Sequence, residues 1–175
     1  MRVSSALRHS ILFSLFGVLM FLSDLLMEGL PNVHLVGVFL CLFTRIYRTR
    51  ALIPLYLYVF LTGLFYGFGL WWIPYLYVWL PLWGVVMLLP KNLSRPAKFI
   101  LLPFLCGLHG LLFGTLYAPA QAILFSLSFE QMLLWIAAGF GFDLLNAAGN
   151  FVFGFLCPPL EAALLSLENK YRTEP

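Results

Sequence analysis

Long apolar runs repeat along the chain, and charged residues, prolines and glycines separate them. Several of these runs approach the ~20 residues that an α-helix needs to cross a bilayer. Cutting the chain at the separating residues predicts six membrane-spanning helices, at about 9–27, 32–47, 51–68, 73–90, 97–118 and 142–165. We therefore expect an all-α integral membrane protein in which residues 1–175 form a single transmembrane domain.

Composition supports this class independently of the pattern. The chain is 62% hydrophobic and only 10% charged, with a mean hydropathy of +0.96. Soluble domains are roughly 25% charged, so this chain cannot present a charged surface to water on all sides. The net charge of +3 is attributed to loops that face the membrane surface, and it does not predict nucleic-acid binding.

The ten basic residues all fall on one side of the predicted bilayer. They are Arg2 and Arg8, Arg45, Arg48 and Arg50, Lys91, Arg95 and Lys98, and Lys170 and Arg172. The three remaining loops contain no lysine or arginine. The positive-inside rule therefore predicts a multi-pass protein with both termini in the cytoplasm.

The region 119–141 does not fit a further crossing. Ser126, Ser128, Glu130 and Gln131 divide its apolar residues into two pieces that are each too short to span. A seventh crossing would also move the C-terminal basic residues to the outside. We expect a short outer-side helix at about 129–138, either interfacial or re-entrant.

A polar stripe interrupts the last predicted span, where residues 137–150 read AAGFGFDLLNAAGN. Asp143, Asn146 and Asn150 are spaced i, i+3 and i+7, so a helix presents all three on one face. An ionisable group inside a membrane segment indicates a functional site by default, and the alternative is a role in helix packing. We predict that the stripe contacts a ligand.

Other polar and aromatic residues are predicted near the outer surface. They are Asp24 and Glu28 at the end of the first span, His34, Trp71, Trp72 and Tyr75, and His109. Each has a simpler interpretation: tryptophans form interfacial belts, a membrane histidine can bond a neighbouring helix, and acids at a helix end can be solvated. Together they favour an outer half that is polar and aromatic.

The sequence contains no established catalytic or metal-binding motif. Cys41, Cys106 and Cys157 each lie inside an apolar run without metal-ligand spacing, which predicts buried thiols rather than a metal site or a disulfide. There is no Walker lysine loop, no HExxH and no GxSxG. We expect no enzyme activity and no cofactor.

The first span carries small residues at every fourth position, at Ala6, Ser10 and Ser14. Such a face lets another helix approach closely, so it is a candidate docking surface for a partner subunit. Ordinary packing within the chain is the alternative.

The chain resembles the substrate-binding S components of energy-coupling-factor (ECF) vitamin transporters over essentially its whole length. The resemblance rests on AGFGFDLLNAAGNF at 138–151, PNVHLVGVFLCLF at the entry to the second span, and LPLWGVVMLLPKNL at the exit of the fourth. Family members have six helices with both termini inside. They carry an AxxxA-type docking motif in the first helix, where this chain has Ala6, Ser10 and Ser14.

The resemblance implies that the protein captures a vitamin or related micronutrient at its outer side. It would deliver the ligand inward with a coupling transmembrane subunit and two ATPase subunits, in a prokaryotic plasma membrane. The implied ligand contacts are Asp143 and Asn146, with Asn150 deeper, Trp71, Trp72 and Tyr75 as stacking or lid residues, and His109 and His34 as further candidates. The alternatives are a membrane scaffold without a small ligand and an intramembrane enzyme built on His109 and Asp143.

Overall fold

The computed structural model describes residues 5–30 and 32–173, and the side chains of residues 5, 6 and 171–173 lie outside what it describes. The described residues form helices and turns without a β-strand. The α-helices are α1 (Ser5–Leu26), α2 (Val36–Tyr47), α3 (Leu52–Tyr66), α4 (Leu80–Leu88), α5 (Arg95–Leu124), α6 (Phe129–Gly154) and α7 (Cys157–Thr173). Two 3₁₀ segments, Arg48–Ala51 and Leu70–Leu76, precede α3 and α4.

Among the residues that the structure describes, five helical stretches are long and apolar enough to cross a membrane. They are Leu7–Leu26, Val36–Tyr66, Leu70–Leu88, Arg95–Leu124 and Phe129–Gly154. The expected all-α class is confirmed for the described residues, and these stretches are compatible with a multi-pass membrane protein.

The second helix runs antiparallel to the first. Phe16 stacks on Phe43 with ring centroids 4.2 Å apart, while Phe13, one turn earlier in α1, meets Tyr47, one turn later in α2. These residues are buried or half-buried in the core. The aromatic pairs therefore fix both the direction and the register of α2 against α1.

The chain reverses direction between α2 and α3. The side chain of Leu57 covers Gly17, and Phe65 meets Phe21 at 5.5 Å, so α3 runs parallel to α1. Arg48, at the reversal, has a φ of +56°, a left-handed conformation that ends α2 abruptly. The single apolar stretch Val36–Tyr66 is thus two helices that run in opposite directions.

The longest helices, α5 and α6, form a hairpin that corrects the prediction for 119–141. The prediction of a short outer-side helix at 129–138 is wrong, because these residues form the first turns of the long helix α6. The serines that suggested an interruption make a tight turn and a helix start instead. The Ser128 hydroxyl accepts a hydrogen bond from the backbone N–H of Gln131. The side-chain oxygen of Gln131 accepts one from the backbone N–H of Ser128, which completes a capping box.

The expected last span at 142–165 is also wrong as a single helix. The sixth helix ends at Gly154, and α7 begins at Cys157. Pro158 and Pro159 lack backbone N–H groups, so they cannot bond the carbonyls four residues earlier, and the helix breaks ahead of them.

Glycines on one face of α5 allow α6 to approach closely. A Cβ added at Gly110 would lie 2.8 Å from the Asn146 carbonyl group, and one at Gly114 would lie 2.4 Å from the Asp143 carboxylate. At the far end of the same face, a Cβ on Gly154 of α6 would lie 2.5 Å from the backbone of Pro103. Small residues along this seam therefore bring two helix backbones into contact.

Buried ion pairs join the helices at one end of the bundle. The Glu161 carboxylate of α7 lies 3.0 Å from the Lys98 ammonium of α5 and 3.5 Å from the Arg45 guanidinium of α2. Arg45 also donates to the carbonyls of Pro90 and Lys91, at 2.8 and 2.9 Å. Removing one partner of such a pair leaves an uncompensated buried charge, which typically costs about 3–5 kcal/mol.

A second acidic residue of α7 extends this network to the start of α1. Glu168 lies 3.4 Å from the Arg8 guanidinium and accepts a 3.0 Å hydrogen bond from the Tyr47 hydroxyl. We call this the basic end of the bundle. It comprises the first turns of α1 and α5, the segments 48–51 and 89–94, and α7.

The glycine seam makes a prediction about stability. Gly110→Ala should lower the unfolding free energy by about 1–3 kcal/mol, because the new methyl meets the α6 backbone rather than a movable side chain. Gly141→Ala in α6 is the matched control, since nothing lies within 4 Å of its added Cβ. Thermal unfolding in detergent measures both. Equal unfolding midpoints for the two variants would contradict the close approach.

Candidate functional site

The predicted polar stripe lies in the seam between α5 and α6. Asp143, Asn146 and Asn150 are all buried. The Asp143 carboxylate accepts a 2.9 Å hydrogen bond from the Gly114 amide, and the Asn150 side-chain amide donates to the Asn146 side-chain oxygen. The structure thus brings the three residues together as expected, but the partners they have are one another and the α5 backbone, while the Asn150 side-chain oxygen has none among the described residues. This arrangement favours the packing role for the stripe.

An open cavity of about 340 Å³ lies at the end of the bundle opposite the basic end. It is lined by Asp24, Glu28, Thr62, Tyr66, Trp71 and Tyr75. We call this region the aromatic end and the space the acidic cavity. Two predicted ligand residues, Trp71 and Tyr75, line it, and so do the two acids at the end of α1.

The carboxylates and rings of the acidic cavity are held by neighbouring groups. Asp24 accepts a 3.1 Å hydrogen bond from the buried Tyr58 hydroxyl. The Trp71 ring meets Tyr66 and Tyr75 edge-on, with centroids 6.4 and 5.6 Å apart. The Tyr117 hydroxyl donates to the Trp71 carbonyl at 2.5 Å, which ties the 3₁₀ segment to α5.

The electrostatic character of the acidic cavity follows from its lining. Asp24 lies in the last turn of α1 and Glu28 in the turn that follows the helix, and both line the cavity. No lysine or arginine is among the residues that line it. With two acidic and no basic side chains, this lining favours a positively charged ligand.

Behind the acidic cavity lies a buried cluster of aromatic rings and histidines. Tyr75 connects the two, since its ring also meets Trp79 at 6.1 Å and Phe113 at 6.4 Å. Trp79 in turn stacks on His109 at 5.4 Å and meets His34 at 5.6 Å. The predicted residues His34 and His109 thus both contact the Trp79 indole ring, His109 stacked on it and His34 edge-on to it.

Several nitrogens of this buried cluster have no hydrogen-bond partner among the described residues. They are Nδ1 of His34, Nδ1 of His109 and Nε1 of Trp79. The other ring nitrogen of His109, Nε2, lies 2.9 Å from the Val78 carbonyl. An unpaired buried polar group costs about 1–3 kcal/mol, so this cluster gains from an added polar partner.

The remaining predicted site residues lie elsewhere. Trp72 is not part of the cavity lining, because its indole N–H donates to the Val59 carbonyl at 2.7 Å and its ring packs against Phe68. Ser10 and Ser14 are exposed on α1, and the side chain of Ala6 lies outside the described residues. Gly17 belongs to the packed side of α1, where Leu57 covers it.

Sequence reasoning missed Thr62 and Tyr66 and interpreted Asp24 and Glu28 as solvated helix-end acids. The signal for the acids was available in their i, i+4 spacing. Thr62 and Tyr66 share the same spacing on α3, but an apolar helix with a single threonine offers no sign that this face lines a cavity.

A larger groove of about 460 Å³ lies at the basic end, between α5 and α7. Its lining combines two prolines and other apolar residues with Arg95 and Lys98, and Lys98 is already paired with Glu161. It lacks the convergence of aromatic rings and acidic groups that characterises the acidic cavity, so we take the smaller cavity as the candidate site.

The half-buried His34, whose Nδ1 atom is enclosed, makes a prediction about pH. Burial lowers the pKa of His34 from 6.5 to about 4. Between these values the unfolded chain binds a proton that the folded chain does not, so stability falls as the pH falls. His34→Gln should reduce the loss between pH 6.5 and 4 by up to about 3 kcal/mol. Thermal unfolding across this range measures it, and an unchanged pH dependence in the variant would contradict the neutral ring.

Comparison of the chain with protein-family models, with curated proteins and with solved structures finds no match. The functional assignment therefore depends on the placement of groups within this fold. Acids and aromatic rings line a cavity at one end of the bundle, unpaired nitrogens lie behind it, and the ion-paired cations lie at the other end.

Proposed function

We propose that the protein is the substrate-capture subunit of an ECF-type importer and that the acidic cavity is its outward-facing binding site. The observation that carries this proposal is the convergence of two carboxylates and three aromatic rings on one open cavity. A few polar groups among apolar and aromatic walls are typical of small-molecule sites.

The charge distribution supports an orientation for this subunit. The described contacts gather basic residues of α1, α2 and α5 at one end, away from the acidic cavity. By the positive-inside rule that end faces the cytoplasm of a prokaryotic cell, and the acidic cavity then faces outward. Counting Val36–Tyr66 as two crossings gives six in total, with both termini inside.

The lining of the acidic cavity favours a small organic cation of vitamin size. A cation over the face of a tryptophan or tyrosine ring is attracted by the ring quadrupole, by about 0.5–2 kcal/mol depending on its solvation. Asp24 and Glu28 would add charge-assisted hydrogen bonds to an ammonium or a protonated heterocycle. Tyr58 would hold the Asp24 carboxylate in position for that contact.

The buried cluster behind Tyr75 would extend the site for a longer ligand. Rotation of the Tyr75 ring would open a path from the acidic cavity to the unpaired nitrogens of His34, His109 and Trp79. A ligand with a hydrogen-bonding group at its far end would satisfy them. The aromatic walls of both parts suit a flat ring.

Transport in this proposal requires partners. The sequence has no nucleotide-binding motif, so ATP hydrolysis would come from two ATPase subunits acting through a coupling transmembrane subunit. The exposed serines Ser10 and Ser14 are the candidate contacts for the coupling subunit. Small residues there would allow a partner helix to approach closely.

An intramembrane enzyme built on His109 and Asp143 is less well supported by the geometry. Nε2 of His109 lies within hydrogen-bond distance of the Val78 carbonyl, and Asp143 accepts from the Gly114 amide. Each group therefore has a structural partner of its own. We assign no catalytic role to either residue.

The binding proposal predicts the effect of neutralising the acidic cavity. Asp24→Asn and Glu28→Gln should each weaken binding of an organic cation by about 10- to 100-fold, the usual value of a hydrogen bond to a charged group. A thermal-shift screen of flat-ring amines and quaternary ammonium compounds, each paired with a neutral analogue, identifies the cation. Calorimetry then measures its affinity for each variant.

Glu130→Gln is the matched control, because it removes an exposed carboxylate at the same end of the bundle but outside the cavity lining. Its affinity should equal that of the unmodified protein. Equal losses in all three variants would indicate a general charge effect. No loss at Asp24 or Glu28 would remove the acidic cavity as the site.

The orientation proposal predicts which loops are reachable from outside the cell. A cysteine introduced at Ser126, in the turn between α5 and α6, should react with a membrane-impermeant maleimide on intact cells. A cysteine at Asn92 should react only after the membrane is permeabilised. The native cysteines are buried and give a low background. The reverse labelling pattern would invert the orientation and contradict an outward-facing cavity.

A further inference from the structure

The three cysteines of the chain come from three different helices and meet inside the bundle. Cys41 lies in α2, Cys106 in α5, and Cys157 at the first position of α7. All three are fully buried, and their Sγ atoms lie within 4.8 Å of one another. They share no spacing in the sequence that predicts a site, so the packing of the helices alone assembles this trio of thiols.

The separation of the sulfurs fits a three-coordinate metal. A zinc–thiolate bond is about 2.3 Å long, and three such bonds in a plane place the sulfurs about 4 Å apart. The thiols therefore need only small side-chain rotations to reach ligand geometry. Soft thiolate ligands select thiophilic metal ions over hard cations such as Mg²⁺ or Ca²⁺.

The thiols have only weak alternative partners. Sγ of Cys106 lies 3.9 Å from the Gly37 carbonyl, and Sγ of Cys157 lies 3.5 Å from the Val38 carbonyl. An S–H group is a weak donor, so exchanging these contacts for metal bonds loses little.

A cluster of Arg45, Lys98 and Glu161 lies about one helical turn away from the thiols. Arg45 follows Cys41 by four residues, and Glu161 follows Cys157 by four residues, so each pair lies on one helix face. Arg45 and Lys98 both contact the Glu161 carboxylate, which leaves this group with one net positive charge. Nε of Arg45 is buried and has no partner among the described residues.

This charge balances that of a metal trithiolate. Three thiolates around a divalent ion carry one net negative charge, which a neighbouring positive charge offsets in the poorly solvated interior. A hard, oxygen-seeking cation would find no carboxylate among the three ligands.

We propose that Cys41, Cys106 and Cys157 form a binding site for one thiophilic divalent metal ion of the Zn²⁺ and Cd²⁺ class. On binding, three S–H bonds break, three metal–sulfur bonds form, and three protons leave to solvent, with no change of oxidation state. The metal would fasten α2, α5 and α7 together across the helix break at Phe155–Leu156. The site is separate from the acidic cavity and does not depend on its function.

Titration of the detergent-purified, tag-free protein with Cd²⁺ tests this proposal directly. The expected result is an ultraviolet cadmium–thiolate charge-transfer band that saturates at one ion per chain, with release of protons into a weakly buffered solution. Zn²⁺ should compete for the same site and raise the unfolding temperature. Each single Cys→Ser variant should weaken Cd²⁺ binding by ~100-fold or more, because two thiolates then remain.

Serine is close to cysteine in size, so these variants should stay folded. Val86→Ala is the control for general loosening of the core, since Val86 is fully buried and offers no ligand atom. It should lower the unfolding temperature and keep the one-ion endpoint. The absence of a charge-transfer band at equimolar Cd²⁺, or retention of the same Cd²⁺ affinity by the Cys41→Ser, Cys106→Ser, Cys157→Ser triple variant, would overturn the proposal.

Discussion

The structure depends on one constraint, which is that an apolar surrounding cannot solvate polar groups. A chain that is 62% hydrophobic has few such groups, and each buried one needs a partner from within the fold. Several buried polar groups here find one across a helix interface, and others find one within their own helix. Across interfaces, Asp143 bonds an α5 amide, and Arg45 and Lys98 share Glu161, whereas Asn146 and Asn150 bond each other within α6. Polar residues therefore act first as the contacts that select which helices meet.

The same constraint separates the two ends of the bundle chemically. Ion pairs close the basic end, where α7 supplies acids to cations of α1, α2 and α5. At the aromatic end, Asp24 and Glu28 face a cavity without a lysine or arginine in its lining. Unpaired nitrogens remain behind that cavity. Two carboxylates beside aromatic rings, without a lysine or arginine in the same lining, are the physical reason for locating binding there.

The sequence predicted the class and most helices because composition and apolar run length depend on local residues alone. That all the basic residues share one side stays a prediction, although the ion pairs place Arg8, Arg45 and Lys98 at one end of the described bundle. The sequence-based prediction failed at 119–141 and at 142–165, where the helix boundaries depend on a capping box at Ser128 and on Pro158. The convergence of Cys41, Cys106 and Cys157 could not be predicted, because tertiary packing alone creates it.

The candidate site in the structure differs from the one that the sequence predicted, for a related reason. The stripe of Asp143, Asn146 and Asn150 is the most conspicuous polar pattern in the sequence. Glycines on α5 nevertheless let α5 pack closely against it, and the Gly114 amide bonds the Asp143 carboxylate. Asp24 looked like a solvated helix end, but the fold places it beside Tyr58 and in the lining of a cavity with Trp71. A spacing pattern shows which residues share a face, whereas the opposing helix decides whether that face packs or binds.

Native mass spectrometry of the detergent-purified protein, after exposure to a metabolite extract, shows directly whether the protein captures a small cation. We expect one bound small molecule per chain that carries a positive charge and a flat or methylated nitrogen group. A bound molecule that is neutral or anionic would contradict the assignment of the acidic cavity. A chain that remains free of any small molecule would contradict the capture function itself.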